Sequence, residues 1–393
     1  MITMNRSILF SIITSLVLLL AIPRTVSAQD DFQKGVQAFN NQDYSTALQY
    51  FLKYDNRDAW HNCALCYYYL KDNDNAIKMA LKADANDPYM LGIITDSFRF
   101  RARENYSQIG LTERLWNTIA WFRGAPASAD AAADCLCSYT YSDGTHAQYY
   151  LNTALNITLL SLKETPDDLY LNHRLGSLFA LYLNPDDSGS QDNAKYWFKR
   201  FLSLAEREGK RSERFEMMKA VVQGLVDNML KDASESRATV RVDNLSQFTA
   251  IIPRFTCNGS RILTMKQDSE FKDDCVIIQA DASVTGANGK KFSVQVHMFD
   301  ENGYWVAGNI SNVFGISYSP KYDNTHYEIV HEGIYTSDMR SVEEGRRKVF
   351  IVMEIICENA IIGCSDIREA YINLSDGKIL SFVPVGGEIR GNY

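Results

Sequence analysis

The spacing of apolar residues divides the chain into a helical first half and a strand-rich second half. From about residue 31 to 231, apolar residues recur every three or four positions, the period of one helix face. After about residue 237, short runs alternate between apolar and polar residues, with turn residues between the runs, which is typical of strands. A length of 393 residues accommodates two domains. The pattern therefore predicts an α+β multidomain protein, in which helices precede an antiparallel β-domain.

One stretch of the first half, residues 58–88, carries a distinctive order of large and small apolar residues. It runs through Trp60, Cys63, Ala64, Tyr67, Ala76, Ala80, Ala83 and Pro88. A degenerate copy lies upstream, where Gly35 and Ala47 have the same spacing as Ala64 and Ala76. A third copy contains Leu175, Gly176, Phe179, Ala194 and Phe198. The order resembles the tetratricopeptide repeat, whose signature is W-x2-L-G-x2-Y followed by Ala, an apolar residue, Ala and Pro.

This resemblance implies a solenoid of helical hairpins over residues 29–235, because one hairpin cannot bury its apolar face alone. In this family the first helix of each hairpin lines a groove that holds a peptide. The matching positions are Phe32, Phe39, Asn40, Asp58, His61, Leu65, Tyr68, Tyr69, Tyr170 and His173. The basic clamp that grips a peptide carboxylate is missing from this set, so apolar or aromatic contacts are expected. Because Tyr67, Tyr68 and Tyr69 are consecutive, at least one of them faces the core.

The second half contains at least seven candidate strands, which favour an antiparallel β-sandwich over residues 236–393. The clearest runs are 239–242, 276–284, 292–299, 349–357, 371–374 and 379–383. Asn288-Gly289, in the connection 286–289, predicts a hairpin between the second and third runs, since these residues tolerate positive φ. In the third run apolar and polar positions alternate, so Gln295 and His297 are expected on a solvent-exposed face.

The first 28 residues have the pattern of a secretory signal peptide. Arg6 precedes a mostly apolar run from Ile8 to Ala21, and Val26-Ser27-Ala28 provides small residues for signal peptidase. We therefore expect cleavage after Ala28 and an exported chain that is periplasmic, at the cell surface or secreted. The alternative is a retained anchor, but the run is shorter than the ~20 residues that span a bilayer. No later run is apolar enough for a membrane span in the mature chain.

Eight cysteines follow this leader, and an oxidising compartment would permit disulfides. The pairs that the predicted strands suggest are Cys257–Cys275 and Cys357–Cys364. Cys63 and Cys66 lie within one continuous helical pattern, and Cys63 occupies the position of a core leucine in the repeat. Core packing is therefore expected for these two residues rather than redox or metal chemistry.

The net charge and the motifs that the sequence lacks argue against several classes of function. A net charge of −8, without a cluster of Lys and Arg, argues against nucleic acid as the main partner. The sequence lacks the H-E-x-x-H, P-loop, G-x-S-x-G and G-x-G-x-x-G motifs, so no enzymatic activity, cofactor or metal site is predicted. Asp281, Asp300 and Asn302 could suggest a calcium loop, but they lack the EF-hand spacing, and a hairpin turn is the simpler expectation.

Three functions remain open at this stage, the third of which is an unrecognised hydrolase. The first is an exported scaffold for protein–protein interaction, which holds a peptide or partner subunit in the helical groove and joins a cell-envelope assembly. The alternative is a glycan- or surface-binding protein that acts through the β-domain, with Tyr304, Trp305 and Tyr318 as aromatic platforms. For Trp305 a core position is the competing expectation.

Overall fold

The computed structural model describes residues 26–102, 110–125, 129–139, 147–184, 186–209, 212–229, 237–265, 275–308, 318–339 and 342–385. The chain is an α+β protein that divides into two compact units. Unit 1 comprises Met1–Glu104 and Gly124–Ala127, and unit 2 comprises Asn105–Arg123 and Ser128–Tyr393.

The described part of unit 1 is helical. Its helices are α1 (Val26–Asn40), α2 (Tyr44–Phe51), α3 (Arg57–Leu70), α4 (Asn73–Asp84) and α5 (Pro88–Ala102). Polar residues precede several of them and cap their first turns. The Asp72 carboxylate, for example, accepts a hydrogen bond from the Asn75 amide at 3.2 Å and caps α4.

Consecutive helices of unit 1 pack against each other, and α3 also contacts α5. Small residues occupy the close helix crossings. A methyl group at Gly35 would lie 2.9 Å from the Phe51 ring, so α1 and α2 approach each other more closely than a larger residue allows. Ala64 and Ala76 on the next pair of helices are fully buried. The sequence pattern therefore correctly placed these small residues in the core.

Unit 2 combines helices with two sheets. Its helices are α6 (Gly110–Phe122), α7 (Ala129–Tyr139), α8 (Ala147–Glu164), α9 (Leu169–Ser177, continued by a π-helical turn, Leu178–Leu183), α10 (Ser188–Glu208), α11 (Glu213–Met229) and α12 (Leu245–Ala250). Its strands are β1 (Arg254–Met265), β2 (Cys275–Thr285), β3 (Phe292–Asp300), β4 (Trp305–Gly308), β5 (Asn324–Tyr335), β6 (Gly345–Cys357), β7 (Ala360–Cys364), β8 (Arg368–Ser375) and β9 (Lys378–Pro384).

The strands form two antiparallel sheets that share a core. The order is β1-β2-β5 in the smaller sheet and β4-β3-β6-β8-β9 in the larger, where β7 also pairs with β6. One hydrophobic cluster contains side chains from both sheets, such as Ile278 and Ile351. The opposite face of the larger sheet is also buried: helices α6 and α8 contact β7, and Trp116 of α6 packs against Phe299 of β3 at 4.6 Å.

Two sequence predictions in this region were wrong. The segment 286–289 is not a hairpin turn, because β2 belongs to the smaller sheet and β3 to the larger, so the segment connects the sheets. Gly286 and Gly289 do have positive φ, +67° and +73°. The segment 239–242 is not a strand, because its amides bind a side chain instead. Asn193 Oδ1 accepts hydrogen bonds from the amides of Thr239 and Val240 at 2.8 and 2.9 Å.

The predicted leader lies almost entirely outside the described residues, since the structure begins at Val26. Among the helices within the described ranges, none combines the length and the apolar character that a bilayer crossing requires.

Candidate functional site

The candidate groove residues of unit 1 are most concentrated on helix α3. Asp58, His61, Leu65, Tyr68 and Tyr69 are all partly exposed, so none of them is a core residue. The neighbouring positions Cys63, Ala64 and Cys66 are buried. Helix α3 therefore has one buried face of small residues and one partly accessible face of larger ones.

At the C-terminal end of α3, Tyr68 is tied to helix α5. Its hydroxyl donates a hydrogen bond to Asp96 at 3.1 Å, and Asp96 also pairs with Arg99 at 2.7 Å. The Lys71 ammonium lies 5.2 Å from the centre of the Tyr68 ring and 5.1 Å from that of Phe100. Lys71, Asp96 and Arg99 thus interact with other residues of α3 and α5. The rings of Tyr68 and Phe100 remain partly exposed.

Other predicted groove residues of unit 1 pack mainly on one another. Tyr69 stacks on Tyr44 with ring centres 4.5 Å apart, and Phe39 meets both rings edge-on. Phe32 makes the same kind of contact with Phe51 at 5.1 Å. These aromatic residues therefore hold α1, α2 and α3 together, whereas Asn40 is exposed at the end of α1.

His61 is the histidine on the partly accessible face of α3. Burial lowers its pKa, although the carboxylates of Asp87 and Asp58 oppose this effect. Its imidazole is therefore favoured in the neutral form, which can both donate and accept a hydrogen bond.

The remaining two groove candidates, Tyr170 and His173, belong to unit 2 and lie on α9. Tyr170 is 43% exposed. His173 packs against Phe198 and Phe201 of α10 with ring centres 6.1 and 5.3 Å apart. Burial lowers the pKa of His173 to about 4. His173 is thus mainly a packing residue between two helices.

The most unusual chemistry in the described chain is a buried ion pair in unit 2. Nη1 of Arg114, on helix α6, lies 2.7 and 2.9 Å from the two carboxylate oxygens of Glu354, on strand β6. The two side chains are 2% and 1% exposed. Burial favours the neutral form of Glu354, but Arg114 and His297 together lower its pKa to about 2. The carboxylate and the guanidinium are therefore both charged.

His297 lies beside this pair on strand β3. Its Nε2 is 3.4 Å from a Glu354 oxygen, and within the described residues neither ring nitrogen has a partner at hydrogen-bonding geometry. Burial lowers the pKa of His297 and keeps the ring neutral. The hydroxyl of Tyr149, on α8, is also buried. Burial raises the pKa of its phenol well above the usual value. His297 is fully buried, so its predicted solvent exposure was wrong.

Helix α6 covers that face of the sheet, which explains the burial of His297. The Trp116 indole N–H donates to the carbonyl of Gly303 at 2.7 Å, and the Trp305 amide donates to the Thr112 hydroxyl at 3.2 Å. These bonds fix the helix along the turn between β3 and β4. Arg114, Glu354 and His297 are all buried, and the ion pair between Arg114 and Glu354 joins the helix to the sheet.

Sequence reasoning missed this pair, although the sequence contains a signal for it. Glu354 is the only charged residue in the apolar run 349–357. A buried carboxylate requires a partner, so a single charge in such a run indicates a buried cation elsewhere. The sequence does not indicate which Arg or Lys supplies it.

The features predicted for the β-domain have structural explanations. Tyr318 stacks on Phe292 at 4.8 Å and so does not form an open platform. Trp305 and Tyr304 are both partly buried. The Asp300 carboxylate accepts hydrogen bonds from the amides of Asn302 and Tyr304 in the β3–β4 turn, which agrees with a hairpin turn.

In the described residues, no disulfide joins Cys257 to Cys275 or Cys357 to Cys364. The register of the strands explains why the two suggested disulfides do not form. Cys275 lies opposite Met265, far along β1 from Cys257, which lies opposite Ala282. Cys357 and Cys364 are likewise three positions out of register, since Cys364 pairs with Glu354.

The Cys63 and Cys66 thiols are buried, as predicted. They belong to a hydrophobic cluster with Ala47 and Phe51. Burial raises the pKa of Cys63 to about 11 and that of Cys66 to about 12. Both therefore remain protonated at neutral pH.

Comparison with known proteins assigns no family. No family model matches the sequence, and no curated protein is detectably similar. Among solved structures, a similar chain is that of Pseudomonas fluorescens alkylpurine DNA glycosylase AlkC bound to DNA containing an abasic site analog. The identity is 11%, the alignment covers 86% of this chain and 95% of that chain, and the TM-score is 0.18.

This match contradicts two predicted absences, because the similar structure is an enzyme and is bound to DNA. The expectations of no enzymatic activity and no nucleic-acid partner are therefore withdrawn. A TM-score of 0.18 carries no argument for assigning either property to this chain.

Proposed function

We propose that this protein is an exported interaction scaffold that binds a peptide or partner subunit on the face formed by helices α3 and α5 of unit 1. The observation that carries the proposal is the partly exposed row on α3, from Asp58 to Tyr69, opposite a fully buried face of small residues. Export rests on the leader pattern of residues 1–28.

The helical packing supports reading unit 1 as tetratricopeptide-like hairpins. Gly35 and Ala64 occupy equivalent positions in α1 and α3, and both are buried at close crossings. The contact between α3 and α5 would bring the first helices of successive hairpins side by side. In such an array these helices form a continuous surface for an extended partner.

The chemistry of the face favours a partner with apolar or aromatic side chains. Asp96 already holds Tyr68 and Arg99, so its charge is neutralised within the protein. Leu65 and the edges of the tyrosine rings provide the surface that a partner can cover. Partly exposed tyrosines suit this role because they combine a large apolar area with a polar tip.

For unit 2 we propose that the two sheets form a β-sandwich. The support is the hydrophobic cluster shared between them, which contains Val276 and Ile278 of β2 together with residues of β3 and β6.

The interaction proposal can be tested with the chain from Gln29 onward as bait in an envelope extract. His61→Ala with Tyr68→Ala should reduce recovery of the main co-purified protein by about tenfold, since a few central side chains dominate such interfaces. Leu52→Ala is the matched control, because Leu52 is 52% exposed but lies at the end of α2. Equal recovery by the double variant and the wild type, with unchanged circular dichroism, would exclude this face.

A further inference from the structure

A groove lies on the smaller sheet of unit 2, where the pairing of its strands is irregular. The groove has a volume of about 370 Å³. Its lining comes from β1, β2, β5 and β8, and consists of Gly259, Ser260, Arg261, Gln279, Ala280, Asp281, Glu328 and Arg368. The size falls within the range of small-molecule sites.

Two irregularities in the sheet meet at Asp281. On one side, Cys257 pairs with Ala282 and Gly259 pairs with Asp281, so Asn258 is an extra residue in β1. On the other side, Ala280 pairs with Val330 and Ala282 with Tyr327, so Asp281 faces the two residues 328 and 329 of β5. Bulges of this kind redirect side chains and are common beside functional sites.

Gly259 opens the groove. A methyl group built there would have no atom within 4 Å, so the space above it is empty. Asp281 is held in place beside it by the Asn258 amide, which donates to its carboxylate at 2.7 Å. His326 lies 3.6 Å from the other carboxylate oxygen.

The two arginines of the groove are oriented by their inner nitrogens. Arg261 Nε donates to Gln279 at 3.0 Å, and Arg368 Nε donates to the Ser260 hydroxyl at 2.9 Å. Within the described residues the outer nitrogens of Arg261 form no ion pair, and Nη2 of Arg368 lies 3.9 Å from a carboxylate oxygen of Asp366. A guanidinium held in this way presents a fixed pair of donors to a carboxylate.

We infer that this groove binds a small zwitterion, a free α-amino acid, with its carboxylate toward Arg261 and Arg368 and its ammonium toward Asp281 and Glu328. The groove contains two cations and two anions, so a ligand of a single charge would be repelled by one of the pairs. A zwitterion satisfies both pairs at once. Among the described residues, no aromatic side chain lines the groove, so a neutral sugar would lack a surface on which to stack.

The test is saturation-transfer NMR on the chain from Gln29 onward, with L-alanine as the probe at physiological salt. Propionate and propylamine each retain one charge of the probe, and D-glucose represents a neutral polyol. We expect a clear signal for L-alanine and weak signals for the other three. Gly259→Leu should abolish the signal because its side chain fills the groove, and Arg261→Gln should weaken L-alanine binding by about tenfold through the loss of a charge-assisted bond.

Arg347→Gln is the matched control, since Arg347 is exposed on β6 of the same unit and outside the groove. It should leave the L-alanine signal unchanged. Equal L-alanine signals from wild type and a folded Gly259→Leu variant would overturn the inference. Binding of propionate or propylamine as strong as that of L-alanine, or a glucose signal without one from L-alanine, would also overturn it.

Discussion

Arg114 and Glu354 are 240 residues apart in the chain, yet they form a two-point ion pair inside unit 2, with 2.7 and 2.9 Å between Nη1 and the two carboxylate oxygens. Charges buried this deeply depend on each other. Each alone would carry a desolvation cost of several kcal/mol, which the partner offsets. The pair therefore fixes where helix α6 lies on the sheet more than it adds to stability.

Removing only Arg114 or only Glu354 should lower the free energy of unfolding more than removing both. Arg114→Met leaves a buried carboxylate and should lower the free energy of unfolding by about 3–5 kcal/mol. Arg114→Met combined with Glu354→Leu should recover most of that loss, because no buried charge remains. Urea denaturation of the four members of this double-mutant cycle measures both effects. Equal losses for single and double variants would show that the charges do not compensate each other.

Two glycines in helices should respond oppositely to the same substitution. At Gly176 a methyl group would lie 2.5 Å from the Phe198 ring, whereas at Gly224 it would meet no atom within 4 Å. Gly176→Ala should therefore destabilise by about 1–3 kcal/mol through overpacking. Gly224→Ala should stabilise by roughly 0.5–1 kcal/mol through helix propensity. Thermal unfolding of both variants provides the comparison, and a stabilised Gly176→Ala variant would contradict the close approach of α9 and α10.

Acid should weaken unit 2 partly through His173. Its pKa is about 4 in the folded chain and 6.5 ordinarily, so the unfolded state takes up the proton first. The contribution is fully present above pH 6.5 and is lost as pH falls towards 4, amounting to at most about 3 kcal/mol. His173→Phe should flatten the pH dependence of unfolding between those values. An unchanged slope in that window would show that His173 titrates normally.

Asn193 should prove important for the segment that was mistaken for a strand. Its carbonyl oxygen accepts the amides of Thr239 and Val240, and its side chain is buried. Asn193→Leu leaves the buried amide of Val240 and the partly buried amide of Thr239 without this acceptor, and should cost about 2–4 kcal/mol. Asn193→Asp keeps the acceptors and should cost less. Chemical denaturation distinguishes the two, and equal losses would point to packing instead of the amide bonds.

The local sequence patterns predicted where the strands lie better than which strands pair with each other. Strands β2, β3, β6, β8 and β9 all cover runs identified from alternation and apolar content. In the turn between β8 and β9, Asp376 and Gly377 have positive φ. The prediction failed where neighbours in the chain separate in space. The 286–289 segment has the sequence of a hairpin but crosses between sheets, because β2 pairs with β1 and β5 instead.

For the candidate sites, too, the sequence predicted local features but not contacts between distant parts of the chain. The small residues of α3 could be assigned to its core because helical periodicity is a local property. The environment of His297 could not be predicted, since alternation only divides a strand into two faces. Whether the second face meets water depends on Arg114 and Trp116, which are supplied by a helix far away in the sequence.

The bond from Trp116 to Gly303 has a consequence for biosynthesis. Helix α6 leaves the ribosome long before β3 and β6, which supply the surface that it covers. Until those strands are made, the nascent chain displays an unprotected indole and its apolar neighbours, a feature that holdase chaperones recognise and that promotes aggregation. A fragment that ends at residue 235 would retain this exposed helix permanently, so truncation there should yield a poorly soluble product.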